Sequence, residues 1–154
     1  EKIFIIGDFP VEEDNKIKFF SSKCDELLNK MLNAINLNKN NVYIATVFPW
    51  VINESKINNK AILDNLPFIQ RQIEIINPKI ILLIGNISAK AILNTNLEIT
   101  KLRGKWHQYQ SVNLNKSIEC LVTYHPRDLI KFPKEKKYAW SDLQIFQKKV
   151  YSEN

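Results

Sequence analysis

The chain has 154 residues, a net charge of +6 and only 3 glycines. Glycine makes up about 7% of an average globular protein, so this count excludes a glycine-rich phosphate loop, a collagen-like chain and a Gly/Ser linker. A hydrophobic content of 45% and a charged content of 25% are ordinary for a globular protein, and the longest apolar run, residues 80–84, is far shorter than the ~20 residues of a membrane span.

Four short apolar runs alternate with helical patterns along the chain. The runs are continuously apolar, as parallel strands buried on both faces are; they cover residues 2–6, 42–47, 80–84 and 119–123. Apolar residues spaced three and four apart predict helices over 22–36, 61–76 (with a kink or restart at Pro67), 88–93 (with Ser88 as N-cap) and 135–150. This order predicts a three-layer α/β/α domain around a four-stranded, mostly parallel sheet.

Chemically useful side chains follow the predicted strands. Asp8 comes after the first strand and His125 after the fourth, and ligand sites in such sheets lie outside the carboxyl ends of the strands. A carboxylate and a histidine are a common acid–base or electrostatic pair, although a histidine at a strand end is also often structural. His107 and His125 do not have the H-x-x-x-H spacing and no cysteine pair accompanies them, so no metal site is expected.

The charge and the cysteines bear on partners and compartment. Residues 1–14 hold one lysine and five acidic residues, so the rest of the chain is more basic than the whole. A basic body with a local acidic patch is typical of a polyanion-binding protein; the simpler alternative is a solvated lysine-rich surface. Cys24 and Cys120 lie in apolar stretches without a C-x-x-C pair, which predicts buried free thiols and a cytoplasmic protein.

The length predicts a single domain over residues 1–154. The chain begins with Glu1 instead of Met and opens directly on a strand pattern. We therefore expect an upstream segment before it.

Short motifs succeed one another through nearly the whole chain. They read G-D-F-P-V (7–11), L-L-N-K-M-L (27–32), V-Y-I-A-T-V-F-P-W (42–50), P-F-I-Q-R-Q-I-E (67–74), A-K-A-I-L (89–93), L-R-G-K-W (102–106), H-P-R-D-L (125–129) and A-W-S-D-L-Q (139–144). In this order and at these spacings they resemble the uracil-DNA glycosylase superfamily, and most closely its bacterial and archaeal family 4. The resemblance implies a base-excision repair enzyme that flips a base into a pocket and hydrolyses the N-glycosidic bond of uracil or a related deaminated base.

The same resemblance implies catalytic roles for three residues, from their positions within the matching motifs. Asp14 would position or activate the attacking water, and Asp8 occupies the first acidic position of its motif. His125 would hydrogen-bond O2 of the uracil, where negative charge builds as the bond breaks.

The base pocket implied by the resemblance contains Gly7, Phe20 and Thr46. Phe20 would stack on the flipped base, with Phe19 as the alternative, because one residue is missing before the L-L-N-K-M-L motif. Thr46 stands where the family has an asparagine. A hydroxyl offers less than an amide for reading the uracil edge, so altered base recognition is expected.

The resemblance further implies DNA as the partner of a monomeric protein that does not associate with membranes. Leu129 matches the side chain that wedges into the emptied base stack. Arg127, Lys131 and Lys134 are placed to neutralise phosphates.

Many family 4 enzymes carry an iron–sulfur cluster, for which two cysteines would lie upstream and two near Trp50 and Asn65. Neither of these two residues is cysteine, so no cluster and no other cofactor are expected.

The family loop after the second strand is also changed, at residues 51–56, and Val11 replaces a motif glycine. These differences leave two alternatives open: a non-catalytic DNA-binding or interaction module with the same fold, and a small-molecule enzyme acting on nucleotides.

Overall fold

The computed structural model describes residues 2–152, which form seven strands and six α-helices. The strands are β1 (Ile3–Gly7), β2 (Val11–Glu13), β3 (Lys16–Lys18), β4 (Val42–Thr46), β5 (Ile80–Ile84), β6 (Trp106–Ser111) and β7 (Lys116–Thr123). The helices are α1 (Ser22–Ala34), α2 (Asn59–Ile76), α3 (Asn86–Leu93), α4 (Ile99–Leu102), α5 (Pro126–Lys131) and α6 (Lys136–Ser152), with short 3₁₀ turns at Glu54–Lys56 and Pro133–Glu135.

The main sheet has the strand order β4-β1-β5-β7-β6, and β2 pairs with β3 in a separate hairpin. The first four strands of this order are parallel, and β6 pairs antiparallel with β7 at one edge. The predicted α/β architecture is confirmed. The carboxyl ends of β4, β1, β5 and β7 meet at one edge of the sheet, which fixes where a site can be built.

The sequence predicted four strands, and the fifth is β6. Its residues alternate in burial, with Tyr109 and Ser111 buried and Gln108 and Gln110 exposed. An antiparallel edge strand that faces water on one side lacks the continuous apolar run used to find the others. The prediction of four strands is therefore corrected to five.

The sheet separates two apolar clusters, one on each face. On one face β1, β5 and β7 pack against α2 and α3 through side chains that include Phe4, Ile69, Ile73, Ile81 and Ile92. On the other face they pack against α1, α5 and α6 through Ile5, Leu28, Leu82, Leu129 and Phe146, among others. Cys120 belongs to the first cluster and Cys24 to the second, and both are buried free thiols, as predicted.

All four predicted helices are present, and each differs from its predicted limits by one or two residues at one or both ends. α2 runs through Pro67 from Asn59 to Ile76 without a break, because its apolar stripe continues on both sides of the proline. α3 begins at Asn86, with Gly85 and not Ser88 at its N-cap; the Ser88 hydroxyl donates to the Gly85 carbonyl at 3.1 Å. Within residues 2–152, no helix combines the length and apolar character that crossing a bilayer requires.

A buried carboxylate joins α6 to the end of β7. The Asp142 side chain is 0% exposed and accepts hydrogen bonds from Arg103 Nε at 3.1 Å, Arg103 Nη2 at 2.5 Å and Thr123 Oγ1 at 2.7 Å. A Cβ atom on Gly104 would lie 2.7 Å from Asp142 Oδ1, and Gly104 has a φ of +72°. Glycine is therefore required where the backbone passes this carboxylate.

Replacing Asp142 should destabilise the protein strongly. Asp142→Asn leaves the Arg103 guanidinium partly buried without its counter-charge, so we expect a loss of roughly 3–5 kcal/mol in the free energy of unfolding. Urea denaturation followed by circular dichroism measures the loss. The control is Asp64→Asn, which removes the exposed ion pair between Lys60 and Asp64 and should cost less than about 1 kcal/mol. Equal losses for the two variants would contradict the role given to Asp142.

Candidate active site

Gly7 lies between an aromatic ring and the neighbouring strand. Gly7 at the end of β1 pairs in register with Thr46 at the end of β4. A Cβ atom on Gly7 would lie 3.4 Å from the Phe20 ring and 3.6 Å from Thr46 Cγ2. Phe20 is 4% exposed, whereas Phe19 is 48% exposed. Of the two phenylalanines, Phe20 is therefore the one beside Gly7.

Phe20 also reaches the histidine that follows β7. The ring centroids of Phe20 and His125 are 5.5 Å apart and the rings are tilted by 40°. His125 is 4% exposed and is the N-cap of α5. The predicted residues Gly7, Phe20, Thr46 and His125 thus lie in one neighbourhood at the carboxyl ends of the strands.

The contacts of His125 fix which ring nitrogen carries the proton. Its Nδ1 accepts the backbone N–H of Arg127 at 3.0 Å, so a neutral ring has its proton on Nε2. Burial, followed by the positive charge of Arg127, lowers the pKa of His125 from 6.5 to about 3. At neutral pH the ring is therefore an uncharged donor through Nε2.

Asp8 is completely buried, and both of its carboxylate oxygens are engaged. Oδ1 accepts the backbone N–H of Ser88 at 2.8 Å, and Oδ2 accepts from Arg127 Nη2 at 2.8 Å. Burial raises the pKa of Asp8 to about 6, against the opposing effect of the Arg127 charge. Asp8 therefore ties β1 to α3 and α5, and it is not open to solvent in this arrangement.

Gly85 is the reason that Asp8 fits under α3. A Cβ atom on Gly85 would lie 2.6 Å from the Asp8 carboxyl carbon, and its φ of +125° is one that residues with side chains rarely adopt. Ser88 and Gly85 were not predicted as site residues. The only sequence signal for Gly85 was that it is one of the chain's 3 glycines and directly follows a buried strand. Ser88 was predicted only as a helix N-cap.

Arg127 was predicted to contact phosphate, and the structure gives its guanidinium other partners. It forms an ion pair with Asp8 at 2.8 Å and lies 4.9 Å from the centre of the Phe9 ring. Its side chain is 32% exposed. The charge of Arg127 compensates a buried carboxylate, which gives this residue a structural role in the site, and its contact with phosphate stays a prediction.

Asp14 is exposed, whereas Asp8 and His125 are buried. It occupies the exposed turn between β2 and β3 with a φ of 53°, and it makes no hydrogen bond or ion pair with Asp8 or His125. The neighbouring Glu13 accepts the backbone N–H of Ser22 at 3.0 Å and pairs with Lys18 at 3.2 Å. Glu13 thereby connects the hairpin to the start of α1, two residues after Phe20.

Thr46 is 3% exposed and its hydroxyl is already used as a donor. Oγ1 donates to the Phe48 carbonyl at 2.7 Å, while Cγ2 is the atom nearest to Gly7. The side chain retains only acceptor lone pairs and a methyl group for any ligand. Since Asp8, Phe20, Thr46 and His125 are all less than 5% exposed, a base reaches them only if covering side chains move.

The residues predicted to contact DNA divide into two groups. Lys131 and Lys134 are exposed. Leu129, predicted as the wedge, is 1% exposed and packs in the cluster shared by α1 and α6. Leu129 would have to leave this cluster to enter a base stack, and its role as a wedge stays a prediction.

The residues at the family's cluster positions do not fit an iron–sulfur cluster, which needs cysteine thiolates. The Trp50 ring packs edge-on against Phe68 with centroids 5.4 Å apart, and Asn65 Nδ2 donates to the Ala61 carbonyl. Cys24 and Cys120 lie on opposite faces of the sheet. Over the described residues 2–152, no group of three or more His, Cys, Asp or Glu side chains is placed to hold a metal ion.

Comparisons with known proteins agree with the motifs. A model of the uracil DNA glycosylase superfamily matches residues 1–144. A type-4 uracil-DNA glycosylase of Pyrobaculum aerophilum is 25% identical over 94% of this chain and 76% of its own length. One of Sulfurisphaera tokodaii is 31% identical over 93% and 67%, and a DNA polymerase of Bacillus phage SP01 is 27% identical over 94% of this chain and 15% of its own length.

The protonation of His125 can be observed directly. Burial and the nearby Arg127 charge disfavour the imidazolium, so the ring should stay neutral, with its proton on Nε2, as the pH falls from 7.5 to 4.5. Nitrogen-15 NMR of the ring, assigned by the signal lost in His125→Gln, measures both properties. A titration midpoint near 6.5, or a proton on Nδ1, would contradict the geometry.

The charge of Arg127 should hold down the pKa of Asp8. Arg127→Met removes the compensating cation, so the pKa of Asp8 should rise above about 6, and Arg127→Lys should keep it closer to that value. Carbon-13 NMR of the Asp8 carboxyl group gives the midpoint. The control is Arg71→Met, which makes the same substitution at the exposed pair of Arg71 and Glu74. An unchanged Asp8 titration in Arg127→Met would show that the ion pair has no electrostatic effect.

Proposed function

The chain belongs to the uracil DNA glycosylase superfamily, and from that premise we propose that it removes uracil, or a related deaminated base, from DNA by hydrolysing the N-glycosidic bond. The observation that carries the proposal is the neutral His125, whose ring lies against Phe20, and Phe20 in turn lies beside Gly7. A π-face and a fixed donor, both nearly free of water, are what a flipped pyrimidine requires.

Phe20 and Gly7 would hold the extruded base. The Phe20 side chain offers an apolar ring for stacking, and Gly7 keeps side-chain bulk out of the space next to it. Glu13 supports this position, because it fixes the start of α1 directly after Phe20. The base would enter as the side chains that cover Phe20 and His125 move aside.

His125 would stabilise the leaving base. As the bond between C1′ and the base nitrogen breaks, the base takes the electron pair and negative charge builds on its carbonyl oxygens. A donor fixed before the reaction stabilises that charge without the cost of reorganisation, and more strongly in a dry site than in water. The Arg127 backbone N–H keeps the ring in the required tautomer.

Water completes the reaction when its oxygen bonds to C1′ and keeps one proton as the new hydroxyl group. The other proton passes to a carboxylate or to solvent, from which the released base anion is protonated. Of the two predicted carboxylates, Asp14 is exposed, and Asp8 is buried with both oxygens engaged. We assign contact with the water to Asp14. Asp8 keeps β1, α3 and α5 in place around His125.

Thr46 suggests that base recognition is less selective than with an asparagine. Its hydroxyl donates to the Phe48 carbonyl, so it can accept from N3–H of uracil but cannot also donate to O4. A pocket that lacks one of a matched pair of hydrogen bonds discriminates less between bases. We therefore include other deaminated bases in the substrate class.

A DNA-binding module without catalysis is the second candidate. Thr46 favours it, because its one donor is used within the protein, and so does the burial of Asp8. On this alternative, binding to DNA would be salt-sensitive and indifferent to the loss of His125.

His125→Ala should lower the rate of base removal by roughly 10²–10³-fold, which is the cost of deleting one donor that stabilises developing charge. The measurement is cleavage at alkali-labile sites in single- and double-stranded oligonucleotides that carry uracil, with hypoxanthine and xanthine substrates in parallel. Asp14→Asn is assayed beside it and should also lose activity.

His107→Ala is the matched control, since it removes the other histidine, which lies in β6 and contacts the Leu102 carbonyl. It should act like the unaltered protein. If no substrate yields alkali-labile sites at high enzyme excess, while DNA binding survives His125→Ala, the second candidate replaces the first.

A further inference from the structure

The surface that follows α5 exposes aromatic rings among cations. Phe132 is 54% exposed and Tyr138 is 40% exposed. Lys131 Nζ lies 5.4 Å from the centre of the Phe132 ring. Two cations lie beside the Tyr138 ring, Lys137 Nζ at 5.1 Å and Arg103 Cζ at 5.0 Å from its centre. We name as the aromatic–basic surface the residues Arg103, Lys131, Phe132, Lys134, Lys137 and Tyr138.

This surface has a strong excess of positive charge. Residues 131–137 contain four lysines and one glutamate. Exposed rings interleaved with cations do nothing for the core, since the buried side of α6 is formed by Ala139, Leu143 and Phe146. The combination fits a partner that presents both negative charges and flat apolar faces.

The aromatic–basic surface is attached to the proposed active site. Arg103 is held by Asp142, which also accepts from Thr123 at the end of β7, two residues before His125. At the other end, α5 begins at His125, and the Phe132 backbone N–H donates to the Asp128 carbonyl at 2.8 Å. A strand whose flipped base lay against His125 would therefore continue onto this surface.

The same segment lacks a wedge at the expected position. Leu129 is packed in the core, so the side chain that would fill an emptied duplex stack is not available. A base inside a duplex already stacks on its neighbours, and only a single strand offers free base faces to protein rings. The exposed groups suit a single strand better than a duplex.

We propose that the aromatic–basic surface binds single-stranded DNA beside the target nucleotide, with bases stacking on Phe132 and Tyr138 and with Lys131, Lys134 and Lys137 against the phosphates. The position of the target base rests on the proposed function, whereas the binding of single-stranded DNA does not. A single strand also spares the protein the cost of unpairing the base.

The test measures binding by fluorescence anisotropy, with an undamaged single-stranded 20-mer and the matching duplex, so that catalysis plays no part. The intact chain should bind the single strand more tightly. Phe132→Leu and Tyr138→Leu, which keep apolar bulk but remove the ring, should each weaken that binding about tenfold and change duplex binding less than about twofold. Phe132→Tyr, which keeps an aromatic ring, should bind the single strand as tightly as the unaltered chain does.

Two further variants separate stacking from general effects. Phe68→Leu makes the same substitution at a ring of similar exposure on α2 and should bind like the unaltered protein. Lys134→Ala should reduce the slope of log affinity against log salt by about 0.7, the value for one single-strand phosphate contact. Thermal melting of each variant checks that the fold is intact.

The proposal fails if Phe132→Leu and Tyr138→Leu bind the single strand like the unaltered chain, or if the duplex binds more tightly than the single strand. It also fails if the surface binds vesicles containing phosphatidylserine and not DNA. If single-strand binding behaves as expected but no base is excised, the proposed enzymatic function fails and the binding surface stands.

Discussion

Two buried aspartates, each neutralised by an arginine and each packed against a glycine, hold the structure together. Asp8 has Arg127 and Gly85, and Asp142 has Arg103 and Gly104. A buried charge is tolerated only when it is paired and hydrogen-bonded. In both cases a side chain on the glycine would overlap the carboxylate. Two of the chain's 3 glycines are thus explained by close approach to a charge.

The two pairs differ in a way that matters for function. Asp142 accepts three hydrogen bonds and connects α6 to the loop before β6. Asp8 accepts two, and burial raises its pKa to about 6. Arg127 contacts both Asp8 and His125, since its guanidinium donates to Asp8 and its backbone N–H donates to His125 Nδ1.

The sequence predicted those strands, helices and site residues that leave a continuous apolar run, an apolar stripe or an ordered motif. The four parallel strands and the long helices were found because burial on both faces, or along one stripe, leaves a direct pattern. β6 was missed because its polar residues alternate with buried ones. Gly7, Thr46 and His125 lie at or directly after the carboxyl ends of β1, β4 and β7, which meet at one edge of the sheet, and the motif register added Phe20.

Side-chain direction could not be predicted in the same way. Arg127 and Leu129 follow His125 in a short helix, and the sequence does not show which of its faces meets the protein. The structure turns Leu129 into the core and Arg127 onto Asp8, whereas Lys131 and Lys134 point outward. These outcomes depend on α1, α6 and a carboxylate 119 residues away from Arg127.

Most of the departures from the family pattern lie on β4 or in the segment that follows it: Thr46, Trp50, the loop 51–56 and Asn65 in α2. The exception is Val11, which lies in β2, and β4 itself is the edge strand beside β1. Asp8 and His125 follow β1 and β7, and both accept hydrogen bonds from Arg127. The burial of Asp8 would be costly without the charge of Arg127 and the close approach of Gly85, so these two residues fix the carboxylate. Because the Arg127 backbone N–H also orients His125, the position of that ring depends on the same buried pair.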